Sequence, residues 1–125
     1  MRVIGLATVA LISTGARLNA QHRPSIVGTW RVAPRVDTRG GPREVVIRAD
    51  SSASWGKETS RWRLTGHTIW IAVGGEWERY RLTISRTELT LSGGDLQKPI
   101  TLRRVGPPNA LPPGVLVPPD PDSKS

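Results

Sequence analysis

A chain of 125 residues has room for one domain, and with no cysteine among them it can form neither a disulfide nor a thiolate metal site, nor use a thiol nucleophile. Its formal net charge of +8 turns attention to anionic partners such as envelope polymers, lipid headgroups or acidic proteins.

At the N-terminus, Arg2 precedes an apolar run from Val3 to Ile12, followed by small and polar residues. That run is too short to span a bilayer, and the pattern reads as an export signal over residues 1–20. Cleavage falls after Ala20, with Leu18 at the third position back, or after Ala16, with Thr14 in that place. No cysteine follows the run, which excludes a lipoprotein anchor. Losing Arg2 and Arg17 leaves sixteen basic against ten acidic side chains, a net charge of +6. The mature chain is then expected to be periplasmic or secreted, without a transmembrane segment. Its expected partner is an anionic envelope component or another protein, and export disfavours nucleic acid.

From Ile26 to Val105 there is no helical period. Alternating runs bounded by turn residues recur about every ten positions, the pattern of an all-β domain. The strands read as Val27 to Ala33, Arg43 to Ala49, Ala53 to Gly56, Ser60 to Thr65, Thr68 to Val73, Trp77 to Ser85, Glu88 to Ser92 and Pro99 to Val105. Short connections make consecutive strands antiparallel neighbours.

Register arithmetic assigns faces. With Gly74-Gly75 as a two-residue turn, Ile71 faces Glu78, Trp70 faces Arg79 and Ile69 faces Tyr80. Gly66-His67 as a turn pairs Leu64 with Ile69, Arg63 with Trp70 and Trp62 with Ile71, and Arg86-Thr87 pairs Ile84 with Leu89 and Leu82 with Leu91. The three hairpins agree. One face carries Trp62, Leu64, Ile69, Ile71, Val73, Tyr80, Leu82, Ile84, Leu89 and Leu91, and the other carries Arg61, Arg63, Trp70, Trp77, Arg79 and Arg81. Trp55 is not placed, because the turn around Asp50 to Ser52 holds either two residues or three.

The segment after the domain, residues 106–125, is expected to be a disordered tail. Seven of the nineteen residues from Pro107 onward are proline, too many for helix or ladder pairing.

Eight short antiparallel strands, apolar on one side and without helices to cover that side, are best satisfied by closing into a barrel. Within IVGTWRV, Gly28-Thr29-Trp30 opens the first strand and resembles the G-x-W signature of the lipocalins and the wider calycin group. R-A-D-S-S after the second strand and T-E-L-T-L before the last are similar to small bacterial secreted lipocalin-like domains. The resemblance covers Ile26 to about Val105. It implies that Trp30 packs across the closed end of the barrel beneath a cation from the final strand. Alternation points Ile100 and Leu102 inward, and with them Arg104, so the resemblance implies Arg104 over the Trp30 ring, worth ~1 to 2 kcal/mol when desolvated. The implied roles of Gly28, Trp30 and Arg104 are structural. The chain is much shorter than true lipocalins and lacks their disulfide and C-terminal helix. So small a domain is expected to fill its interior with side chains, although an eight-stranded barrel also has room for one small ligand.

Catalytic patterns are absent from the sequence. His22 and His67 are the only histidines, too few for a metal site. No serine sits in a nucleophile elbow and no phosphate loop occurs. Glu76 and Glu78 share a face but flank a turn where solvent reaches them; Glu78 beside Tyr80 is the candidate polar group of a shallow pocket. The expected function is therefore a non-enzymatic, cofactor-free binding module, with Arg61, Arg63, Trp70, Trp77, Arg79 and Arg81 as its contact surface. A calycin-type protease inhibitor, plugging with its N-terminal segment, and a carrier of a small apolar ligand are the alternatives.

Overall fold

The computed structural model describes residues 24–123. The expected signal segment and His22 lie outside the described residues. Eight strands occur in order: β1 (Gly28–Arg31), β2 (Glu44–Ile47), β3 (Ser52–Trp55), β4 (Glu58–Thr65), β5 (Thr68–Val73), β6 (Glu76–Ile84), β7 (Glu88–Ser92) and β8 (Ile100–Gly106). Each pairs antiparallel with the next, and β8 returns to β1, so the sheet is a closed barrel. Closure leaves no strand edge exposed.

The three central hairpins take the registers that alternation predicts. Trp62 faces Ile71, Trp70 faces Arg79 and Leu82 faces Leu91. Gly74 and Gly75 adopt φ of 59° and 84°, the left-handed pair that a two-residue hairpin turn demands and that glycine reaches without strain. Inside the barrel Trp30, Val45, Ile47, Ala53, Ile71, Leu89, Leu91 and Leu102 are all fully buried. Trp62 packs against this core from a half-buried position, its Nε1 donating to Arg48 O at 2.8 Å.

The β2–β3 connection resolves Trp55. Ile47 pairs with Ala53, and the turn between Arg48 and Ser52 is pinned by Ser51 N donating to Arg48 O and by Asp50 Oδ1 accepting from both Ser52 N and Ser52 Oγ. Ser51 takes a φ of 77° there. Three loop residues put Val45 opposite Trp55, so Trp55 faces inward and stacks on Tyr80 with ring centroids 4.8 Å apart. The two Ser52 bonds, with a smaller contribution from Arg48, hold the Asp50 carboxyl below its usual range.

At one end the barrel is shut by a clasp. Arg104 lies 4.2 Å over the Trp30 ring and donates to Val27 O, Ser25 O and Arg86 O, while Trp30 Nε1 donates to Ile26 O. Gly28 is required beside it, since a Cβ there would stand 2.7 Å from Arg104 Nη1 and 3.2 Å from Gly106 O. The β1–β8 register slips between Thr29 and Trp30: Thr29 faces Gly106 and Trp30 faces Arg104, which leaves Val105 as an extra residue on β8. This bulge turns the chain outward as it leaves the barrel.

Beyond Gly106 the chain departs from the expected free tail. Proline keeps residues 107–123 out of helix and ladder, yet they run over the outside of the barrel as a strap. Thr29 Oγ1 donates to Pro107 O and accepts from Asn109 N; Arg48 Nε donates to Asn109 O, Arg61 Nε to Pro118 O, and Arg63 Nη1 pairs with Asp122 Oδ2 at 2.7 Å. An extended proline-rich chain has free carbonyls, and the barrel's outer arginines are the donors that meet them.

Replacing Arg104 by methionine is expected to lower the unfolding free energy by about 3 kcal/mol, because three carbonyls lose a charged donor and Trp30 loses its cation. Urea denaturation of the full chain measures this, and lysine at the same position should recover part of the loss. A change smaller than about 1 kcal/mol would contradict the clasp.

Candidate binding face

Strand pairing lines up Arg63, Trp70 and Arg79 across β4, β5 and β6, with Trp77 one step along on β6 opposite Ala72. These positions alternate with core residues, so their side chains project outward. The guanidinium of Arg63 sits 4.5 Å from the Trp70 ring centroid and 4.4 Å from that of Trp77, held between two indoles that meet edge to face at 6.4 Å. Arg79 covers Trp70 from the other side at 5.3 Å, and Trp70 Nε1 donates to Thr65 Oγ1. Between the two indoles, Arg63 offers Nη1 outward to a carboxylate, which is Asp122 of the strap. A guanidinium fixed by aromatic faces loses little entropy when it binds.

The other expected members of the face divide. Arg61 sits beside Arg63 on β4, occupied by Pro118 O. Arg81 is exposed and stays out of the stack, although it borders a shallow hollow of about 290 Å³ shared with Trp70 and Arg79. Arg48 belongs to the face but escaped the pattern, because it looks like the tail of β2. It is only 8 % exposed, with Nε on Asn109 O and Nη2 on Ser54 Oγ. Burial pulls its guanidinium below the ordinary value, opposed by the Asp50 carboxylate. Three donors on this side, Arg48 Nη1, Arg63 Nε and Trp77 Nε1, are buried without an acceptor among the described residues. Such orphans are uncommon in folded proteins and carry a desolvation cost.

The candidate pocket pair behaves differently. Tyr80 is buried, and its hydroxyl donates to Asp95 Oδ1 at 2.7 Å, which leaves the phenol committed. Gly94 makes that approach feasible: a Cβ there would lie 2.6 Å from Tyr80 Cε1. Glu78 is half-buried opposite Ile71, and Glu76 is exposed beside the turn. Desolvation, then the bond to Asp95, then the charges of Asp95 and Glu78 all push the phenol well above its ordinary value. At this open end lies a cleft of about 700 Å³ with Trp55, Lys57, Glu58 and Val73 on its walls. Its Arg43 is engaged by Ala33 O, Pro34 O and Val36 O, whereas Lys57 and Glu58 face the cleft as charged side chains.

Comparison with protein-family models, with curated proteins and with solved structures returned no match. The geometry of the chain itself therefore carries the functional reading.

Tyr80 is the only tyrosine, so absorbance reports it alone. The folded chain is expected to show no tyrosinate at about pH 10, where a free phenol is half ionised. Because the folded value is raised, the phenol's contribution to stability is complete below about pH 10 and is lost as pH climbs from there towards the folded value. A midpoint near 10 without unfolding would show that Tyr80 is not enclosed.

Proposed function

We propose that this protein is an exported, non-enzymatic binding module of the lipocalin-like, calycin type, and that its guanidinium–indole face engages carboxylate groups on another protein. The Gly28, Trp30 and Arg104 clasp supports the calycin assignment. One observation carries the contact surface: Arg63, fixed between Trp70 and Trp77, presents Nη1 to a carboxylate oxygen 2.7 Å away. Arginine and tryptophan are the residue types that dominate binding energy at protein interfaces, and here they are preorganised by sheet register. The net positive charge favours an acidic partner. The inhibitor reading draws on Gln21 to Ser25, of which residues 21–23 lie outside the described residues, and the carrier reading has the cleft at the open end, whose walls include the charged Lys57 and Glu58.

Titration with a synthetic peptide of alternating proline and glutamate, followed by tryptophan fluorescence, tests the proposal, with anionic lipid vesicles as the second arm. The full chain should bind the peptide, and Trp70→Ser with Trp77→Ser should weaken binding at least tenfold, about 1.4 kcal/mol, while circular dichroism is unchanged. Equal affinity in the double variant, or binding to vesicles but not peptide, would refute it.

A further inference from the structure

The strap covers part of the face that the proposed function needs. Its polar contacts with the barrel fall in two places. Near the barrel exit, Thr29 and Arg48 engage Pro107 and Asn109; further on, Arg61 and Arg63 engage Pro118 and Asp122. Between them residues 110–117 make no side-chain hydrogen bond to the barrel and carry Leu116, which is 85 % exposed. At the far end Val117, Pro118 and Pro121 are only half-buried, so apolar packing there is partial. The far clasp is one backbone carbonyl and one ion pair whose side chains are half exposed, a class of contact worth little in water.

The strap is also an incomplete match for the surface it covers. Three buried donors, Arg48 Nη1, Arg63 Nε and Trp77 Nε1, find no acceptor among the described residues. All three lie on the outer side of the sheet, two of them on arginines that the strap already touches. A segment with the strap's extended form but more carboxylates would satisfy what the strap leaves unpaired. The strap competes only because it is tethered, which gives it an effective concentration of order millimolar without high intrinsic affinity.

We propose that residues 107–123 are a built-in, displaceable occupant of the guanidinium–indole face, and that the partner displacing them is an extended, carboxylate-rich peptide segment of another protein. This rests on the reading of that face as the contact surface. Binding is thereby graded: a partner must beat the strap, and weakening the far clasp raises affinity without altering the barrel.

The test uses full-length chains and the same proline–glutamate peptide. Asp122→Lys opposes Arg63 with a like charge and should release the far clasp, raising peptide affinity at least fivefold over wild type. Glu88→Lys, exposed on β7 away from the strap, makes the same change in net charge and should leave affinity within twofold. In nitrogen-edited spectra, the indole resonances of Trp70 and Trp77 should move in Asp122→Lys while that of Trp30 stays. Equal peptide affinity in wild type and Asp122→Lys, with binding still dependent on Trp70 and Trp77, overturns the strap inference and leaves the contact face standing. A gain as large in Glu88→Lys also overturns it, since charge alone would account for the effect. Binding to none of the chains overturns both.

Discussion

In a sheet that closes on itself every side chain goes either in or out, and a strand alternates the two choices residue by residue. That single constraint sorts this protein. Ile69, Ile71, Leu82 and Leu91 fill the interior, and because they do, Arg63, Trp70, Trp77 and Arg79 have nowhere to go but the outer surface. Pairing across three strands then stacks indoles on guanidiniums. The face is thus a consequence of the core: a one-residue slip in any central hairpin would bury arginines and expose isoleucines.

The closed end and the outer strap are two products of one irregularity. Val105 is surplus in the β1–β8 ladder, so Arg104 stays inside over Trp30 while the chain beyond Gly106 is turned to the outside. Arg104 spends its three donor nitrogens on backbone carbonyls of the N-terminal approach and of the β6–β7 turn. Thr29, one residue before Trp30, faces out and receives the strap through its hydroxyl. Clasp and strap are therefore mechanically adjacent, and the strap starts from a rigid origin. With so many side chains buried inside so small a barrel, the surface proposed for function lies on the outside.

The parts legible in the sequence are those fixed by local chemistry. Gly74-Gly75 and Gly66-His67 mark two turns whose length sets register, and register sets every face between Arg61 and Leu91. Trp55 is not legible, because the left-handed residue of its turn is Ser51 rather than a glycine, and the count of loop residues depends on the Asp50–Ser52 bonds. Nor is the engagement of Arg48, whose Nε donates to Asn109 O of a strap distant in sequence. The strap's proline content correctly excludes a ladder, but its docking is made through backbone carbonyls, which every residue possesses and no motif announces. Alternation places Tyr80 inside, but its commitment to Asp95 depends on the Gly94 approach that only the folded chain brings about.

The two sides of the ribbon are segregated, with core side chains within and guanidinium–indole pairs without. Proton–proton contacts measured by nuclear Overhauser spectroscopy on the labelled full-length chain address this segregation most directly. Contacts are expected from the Trp70 indole to the side-chain methylenes of Arg63 and Arg79, and from the Trp30 indole to those of Arg104. Contacts from the Trp70 indole to the methyl groups of Leu82 or Leu91 would contradict the segregation.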